Sequence, residues 1–142
     1  MLWRPDSKAF AVTDLGYADH YFIRVLSTDF KLEGSEHGLR IIDLSVPLGK
    51  SFSQLAARHY APKEYDFGHF YAKALRWLGN DQLLVGLDAM TSEASSREGQ
   101  APGVRNWYCG YIMSPEKRQV IRQLDGSDLR REFDIDLEKE PW

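Results

Sequence analysis

The stretch that decides the fold is WRPDSKAFAVTD, residues 3–14, and it returns in altered form as WLGNDQLLVGLD, residues 77–88. Each stretch consists of a tryptophan, a short polar segment and then an apolar run. Asp6 and its counterpart Asn80 favour a turn. The apolar runs that follow favour strands, because successive side chains of a strand point to opposite faces. Both stretches therefore predict a β-hairpin.

A gapless alignment of the two stretches indicates an internal repeat. It pairs residues of matching type: Trp3 with Trp77, Phe10 with Leu84, and Asp14 with Asp88. After each copy the sequence predicts a loop and two more strands, at residues 21–26, 39–44, 106–113 and 119–124. Each half therefore reads as one antiparallel meander, too small to bury its own apolar face.

A change of period between the halves predicts one short amphipathic helix at residues 51–60. Phe52, Leu55 and Ala56 follow helical spacing there, and Ser51 is the predicted N-cap. Pro47 is expected to end the preceding strand. A second short helix, capped by Ser127 or Asp128, is expected at residues 127–133.

These elements predict a single, mainly β (α+β) domain over residues 1–142. Its halves lie at about residues 1–48 and 65–126, with residues 51–60 as the helical connection. The two antiparallel β-meanders pack as a sandwich or continue as one curved sheet, and the short amphipathic helix packs across one face. Either arrangement leaves open sheet edges, and open edges tend to pair with another chain.

The first stretch also resembles a known family. Residues 3–12, WRPDSKAFAV, are similar to the strand–turn–strand pattern W-x-P-D-G/S-x-x-x-A-V of WD40-like and TolB-like β-propeller blades, and residues 77–85 resemble a second copy. The resemblance covers about half of the chain and implies two blade-like units. A propeller needs at least four blades to close its ring. The resemblance therefore implies a departure from the family at its central feature.

Composition and charge exclude several classes of function. The net charge is −3 and no basic stretch is present, so nucleic acid is not an expected partner. The single cysteine, Cys109, lies in an apolar run and is expected to be buried rather than to bind metal or act as a nucleophile. No apolar run reaches the length of a membrane span. The polar N-terminus lacks the pattern of a secretion signal, so we expect a cytoplasmic protein that does not bind membranes.

The sequence predicts no catalytic residues, no metal site and no cofactor. Its histidines lack metal-ligand spacing, and the P-loop, G-x-G-x-x-G and G-x-S-x-G patterns are absent. Asp14, His20, His69 and Asp88 remain as candidates for acid–base chemistry. Whether these four side chains converge decides between an enzyme and a binding protein.

Two surfaces are candidates for binding. Residues 91–105 read as a long loop, and loops of this length are often functional. Residues 60–71 are rich in aromatic side chains, which contribute much of the energy of protein interfaces. The candidate binding residues are Tyr65, Phe67, His69, Tyr71, Arg97, Glu98 and Arg105.

The absence of a catalytic motif favours a protein-binding module. In its most specific version, the chain is a bacterial immunity or inhibitor protein that neutralises a partner toxin. One alternative is a small enzyme or ligand-binding protein with a site near the hairpin loops. The other is a homodimeric scaffold whose sheet edges pair with each other.

Overall fold

Eight strands and two helices form within the residues that the computed structural model describes, which are 1–15, 20–28, 40–58, 65–93 and 104–139. At positions 15, 20, 21, 65–68, 91–93, 104 and 105 only the backbone is described. The strands are β1 Leu2–Trp3, β2 Ala9–Leu15, β3 His20–Ser27, β4 Arg40–Asp43, β5 Tyr65–Leu78, β6 Gln82–Glu93, β7 Val104–Ser114 and β8 Gln119–Asp125. The helices are α1 Ser45–Ala56 and α2 Gly126–Phe133.

The two halves of the chain have the same order of elements. Strands β1–β4 form an antiparallel meander followed by α1, and β5–β8 form a second meander followed by α2. We call these the first and second half-sheets. A short parallel register of His20 and Tyr21 with Phe70 and Tyr71 joins β3 to β5. This arrangement confirms the predicted mainly β fold of two antiparallel meanders.

The larger core lies between the two half-sheets. Ala11 and Val25 of the first half-sheet belong to one buried cluster with Val85 and Leu87 of the second. We call the faces that carry these residues the inner faces. The opposite faces are the outer faces, and their side chains alternate with the buried ones along each strand.

Helix α1 completes this core, but its bounds differ from the prediction. It begins at Ser45 and ends at Ala56, so the expected helix at residues 51–60 was placed too late. Pro47 lies in the first turn, where a missing backbone N–H costs no helical hydrogen bond. Ser51 is therefore an interior residue rather than the N-cap. Buried Phe52 packs its ring 5.8 Å from that of Trp107, which fixes α1 against the inner face of the second half-sheet.

Helix α2 covers the outer face of the second half-sheet. Its Leu129 is fully buried in a second cluster with Leu84, Ile112 and Leu124. The N-cap is Asp125, and not Ser127 or Asp128 as predicted. The Asp125 side chain accepts a hydrogen bond from the Asp128 N–H in a capping box.

The gapless alignment of the halves is wrong at the turns. Trp3 is in register with Phe10, whereas Trp77 is in register with Leu83 rather than with Leu84. The second turn is thus one residue shorter. It places Gly79 at a φ of 69°, a left-handed conformation that glycine adopts without strain.

The predicted loop at residues 91–105 is also shorter than expected. Strand β6 continues to Glu93 and β7 begins at Val104, with Thr91 in register with Arg105. Residues 94–103 lie outside the described part of the chain. In the parts that are described, neither helix has the length and apolar character needed to cross a membrane.

Candidate functional site

A row of apolar side chains runs across the outer face of the first half-sheet, and both of its ends are exposed. Register pairing places Trp3 beside Phe10, Phe10 beside Leu26, and Leu26 beside Ile41. Trp3 is 57% exposed and Ile41 is 56% exposed, while Phe10 and Leu26 are half-buried. We call these four side chains the apolar row.

The apolar row is aromatic at one end and aliphatic at the other. The rings of Trp3 and Phe10 lie 4.8 Å apart and are tilted by 47°. Leu26 and Ile41 continue the row on β3 and β4. Large rigid side chains on regular strands suit recognition, since little side-chain entropy is lost when they are covered.

An ion pair borders the apolar row. Arg24 Nη1 lies 2.6 Å from Asp14 Oδ2, and Asp43 is in register with Arg24. The side chains of Arg24 and Asp14 are 46% and 39% exposed, so water screens their attraction. The pair gives the apolar core of this face a polar rim, which is the usual composition of a protein interface.

The outer face of the second half-sheet is covered, in contrast to the first. Leu129 of α2 sits over Gly110, and Leu137 sits over Gly86. A Cβ atom at Gly86 would lie 2.8 Å from Leu137 Cδ2, so the missing side chain makes room for the covering segment. Within the described residues, buried Leu48 and Phe52 of α1 belong to the larger core and buried Leu129 of α2 belongs to the second, both on faces other than that of the apolar row.

A polar cluster lies on the outer face of the second half-sheet. His69 Nε2 is 3.2 Å from Asp88 Oδ1, and the two side chains are 22% and 15% exposed. The His69 ring stacks on that of Tyr71, with centroids 4.7 Å apart and planes 11° from parallel. The carboxylate and the stacked ring together fix the orientation of the imidazole, as an acid–base group requires.

Tyr108 extends this cluster on the neighbouring strand. It is in register with Asp88, and the negative charge of that carboxylate raises the pKa of the Tyr108 phenol. The phenol therefore stays protonated at neutral pH and can donate a hydrogen bond. The cluster thus offers a phenolic donor, a carboxylate and an imidazole on three adjacent strands.

Two of the four candidate acid–base residues converge. His69 and Asp88 form the pair just described, whereas Asp14 binds Arg24 on the first half-sheet. The backbone of His20 begins β3, and its side chain lies outside the description. The predicted equivalence of Asp14 and Asp88 therefore does not extend to their partners, which are an arginine and a histidine.

The predicted binding residues are only partly brought together. His69 and Tyr71 stack on β5, and the same strand contains Tyr65 and Phe67, whose side chains are not described. A register shift between Phe67 and His69 interrupts the regular pairing of β5 with β6. Arg105 belongs to β7, and Arg97 and Glu98 lie outside the described residues.

Cys109 is a core residue, as expected. It is buried on the inner face, and burial raises the pKa of its thiol to about 12. The thiol donates a weak hydrogen bond to Tyr111 Oη at 3.8 Å, and burial also raises the pKa of the Tyr111 phenol. A thiol that stays protonated is a poor nucleophile and a poor metal ligand.

A cavity of about 160 Å³ lies between the inner face of the first half-sheet and the turns of the second. Arg4, Arg40, Trp77 and Glu116 are among its lining residues. Both arginines already have acidic neighbours, since Arg4 binds Asp6 at 2.7 Å and Arg40 lies 3.9 Å from Glu116. The charges of this cavity are thus largely satisfied within the chain.

In the described parts of the chain, no three His, Cys, Asp or Glu side chains come together as a metal site. Sequence reasoning found His69 but missed the apolar row. The signal was partly visible, because the alternation places Phe22, Arg24 and Leu26 on one side of β3. The sequence does not show the strand pairing that brings one residue from each of four strands into this row.

Comparison with known proteins identifies no family for this chain. The chain matches no protein-family model, no curated protein and no solved structure.

Proposed function

We propose that this chain is a protein-binding module whose docking face is the outer face of the first half-sheet. The observation that carries the proposal is the exposure of the apolar row, from Trp3 to Ile41. Soluble proteins seldom expose contiguous apolar surface without a use for it. Here exposed Trp3 and Ile41 lie at the two ends of the row, and half-buried Phe10 and Leu26 lie between them on adjacent strands.

The second half of the chain gives an internal comparison. Its outer face has equally apolar side chains, Leu84 and Ile112, and both are buried under α2. The first half has the same order of strands followed by a helix, but α1 packs on the inner side. Among the described residues, no helix covers the outer face of the first half-sheet.

The sheet edges are weaker candidates than this face. Strand β1 has two residues and β4 has four, and short edges offer few backbone groups for pairing. Strand β8 is longer, but a register shift leaves Ile121 without a partner on β7. Such irregularities protect an edge from pairing with another chain. Recognition through the face fits the fold better than recognition through an edge.

In the finer version of this proposal the partner is a toxin, which the chain neutralises as an immunity or inhibitor protein. The net charge of −3 suits a basic partner. Inhibition requires only that a partner's functional surface be covered, and an apolar face with a polar rim provides such a cover.

Photo-crosslinking in the native cells tests the docking face. The photoreactive residue p-benzoylphenylalanine replaces Ile41 in the apolar row or, as a matched control, Ile121 on β8, which is 47% exposed. We expect a discrete protein adduct from position 41 and none from position 121. The proposal would be overturned if position 41 gave no protein adduct, or if adducts formed only from position 121. Inhibition of an identified partner's activity then tests the finer version.

The convergence of His69 and Asp88 favours a second candidate function, a small acid–base or ligand-binding site. Hydrolysis of p-nitrophenyl acetate is a direct probe of a reactive imidazole. An acid–base role predicts that His69→Gln and Asp88→Asn both lower the rate, while the control Asp14→Asn leaves it unchanged. Equal rates in all four proteins would exclude this function for the pair.

A further inference from the structure

We propose that the cavity between the two half-sheets binds a small zwitterion, namely an α-amino acid with a short apolar side chain. We call it the seam cavity. It is separate from the docking face, because it lies on the inner side of the first half-sheet. Its lining, its charges and its size each restrict the ligand.

The seam cavity begins at the last row of side chains on the inner face of the first half-sheet. Ala9, Ser27 and Arg40 are in register there, on β2, β3 and β4. The next row inward is apolar and includes buried Val25 and Ile42. Ala9 and Ser27 are small and leave space between the half-sheets, while Arg40 brings a cation to the same row. The result is a hollow with apolar walls and a guanidinium group.

Two guanidinium groups line the seam cavity, and both are largely shielded from water. The side chains of Arg4 and Arg40 are 14% and 24% exposed. Arg4 is held in place by Asp6, at 2.7 Å. Glu116, which lies 3.9 Å from Arg40, is 80% exposed and can turn towards water without loss of hydration. A ligand carboxylate can then take its position beside Arg40, where a charge-assisted hydrogen bond is stronger than on an open surface.

Acidic groups on the turns of the second half-sheet restrict the net charge of the ligand. Asp81 and Glu116 line the seam cavity together with Arg4 and Arg40, so the lining carries two charges of each sign. A phosphate ion would meet both carboxylates and is disfavoured. A zwitterion preserves the balance of charge. Its carboxylate binds Arg40, and its ammonium group binds Asp81.

The size of the seam cavity restricts the ligand further. Its volume is about 160 Å³, similar to that of cavities that hold one benzene molecule. Trp77 lines it, and the hydrogen bond from Trp77 Nε1 to the Leu2 carbonyl, at 3.0 Å, fixes the position of the indole. With Val25 and Ile42, the indole offers apolar contact to a branched side chain of a few carbons. L-Valine is therefore the probe that matches the seam cavity.

NMR titration of the ¹⁵N-labelled full chain with L-valine tests the site. We expect a dissociation constant of about 0.1–1 mM, which is ordinary for a ligand of this size. The amide signals of Ser27, Arg40 and Asp81 should shift, as should the indole signal of Trp77. The indole signal of Trp3, on the outer face, should not. The proposal would be overturned if no signal shifted up to about 10 mM valine, or if the shifts lay outside the seam cavity.

Three further probes test the two ligand charges in the wild-type chain. Isovalerate is valine without its ammonium group, and isobutylamine is valine without its carboxylate. Each should bind at least about 10-fold more weakly than valine, because each loses charge-assisted hydrogen bonds. Inorganic phosphate should bind more weakly still. Equal or tighter binding of isovalerate or phosphate would make the cavity an anion site, and equal binding of isobutylamine would make it a cation site. Either result contradicts a zwitterion.

Two pairs of variants test the residues that hold the charges. Arg40→Gln and Asp81→Asn should each weaken valine binding at least about 10-fold. Their matched controls, Arg118→Gln and Asp134→Asn, remove the same charges from exposed positions outside the lining and should bind valine as the wild-type chain does. Equal effects of a variant and its control would refute the assignment. Circular dichroism checks folding, and the comparison of probes in the wild-type chain decides the question if a variant does not fold.

Discussion

Leu129 lies so close above Gly110 that a Cβ atom added at residue 110 would come within 2.7 Å of Leu129 Cδ2. This contact sets how closely α2 approaches the second half-sheet. Because Leu129 is fully buried, it has little room to move away. The absence of a side chain at residue 110 is therefore a packing requirement of the second core.

The first prediction follows from this contact. Gly110→Ala is expected to lower the free energy of unfolding by about 1–3 kcal/mol, the usual cost of overpacking a core. Gly49→Ala is the matched control, because a Cβ at residue 49 meets nothing within 4 Å and the position is inside α1. It should stabilise the chain by about 0.5–1 kcal/mol. Urea denaturation measures both, and equal effects of the two variants would contradict the packing argument.

The second prediction concerns the carboxylates around α2. Hydrogen bonding from Ser127 lowers the pKa of Asp125, and pairing with Arg122 lowers the pKa of Glu132. Asp136 has a lowered pKa for a similar reason, because Lys139 and Arg130 bind it.

A carboxylate with a pKa lowered by folding stabilises the folded state above its unfolded-state pKa. That stability is lost as the pH falls through the folded-state value, below about pH 4 here. The urea midpoint should therefore drop between pH 7 and pH 3. Asp125→Asn, which retains a good N-cap but not the charge, should reduce this drop. The control Asp134→Asn lies outside the capping box and should leave it unchanged; a drop identical in all three proteins would refute the assignment.

The third prediction is that Cys109 does not react in the native protein. Burial raises the pKa of its thiol to about 12, so the thiolate is scarce at pH 8 and also inaccessible. Iodoacetamide should label Cys109 only as fast as the chain unfolds. In the control variant Gln123→Cys, the added thiol on exposed β8 should react at once. Rapid labelling of the wild-type chain would show that β7 opens without global unfolding.

The fourth prediction tests the polar cluster. The charge of Asp88 raises the pKa of Tyr108, so Asp88→Asn should shift that pKa down towards the ordinary value of 10. NMR titration of ¹³C-labelled tyrosine follows the individual phenols. Asp14→Asn, whose carboxylate binds Arg24 on the other half-sheet, should leave Tyr108 unaffected. A shift of the same size in both variants would mean that a general change in charge, and not the contact, is responsible.

The strands could be predicted from the sequence because the alternating or aromatic pattern of each strand lies within one short segment. Alternating and aromatic runs placed most strand centres to within a few residues; β8, for example, was predicted at residues 119–124 and spans Gln119–Asp125. The start of α1 could not be predicted in the same way. Pro47 reads as a terminator, and only the helix that contains it shows that it occupies the first turn.

The candidate sites depend on non-local pairing, which the sequence does not express. The pairing of β5 with β6 brings His69 and Asp88 together. This pairing includes a register shift next to His69, which no pattern in the sequence predicts. The apolar row likewise needs three registers to align residues as distant as Trp3 and Ile41. Sequence reasoning therefore looked to the sheet edges for a partner. In the described residues, the edge strands β1 and β4 are short, β8 is irregular, and the first half-sheet has an exposed face.

The last prediction distinguishes the two tryptophans that first suggested the repeat. Trp77 Nε1 donates a hydrogen bond to the Leu2 carbonyl at 3.0 Å and thereby ties β1 to β5. Trp3 is 57% exposed and packs mainly on Phe10. Trp77→Phe removes the donor and should cost about 1 kcal/mol, whereas Trp3→Phe should change the free energy of unfolding by less than about 0.5 kcal/mol. Far-UV circular dichroism in urea measures both at submicromolar concentration, where association does not contribute. Equal costs would mean that the two tryptophans are equivalent in energy as well as in sequence, although only one of them joins the two halves.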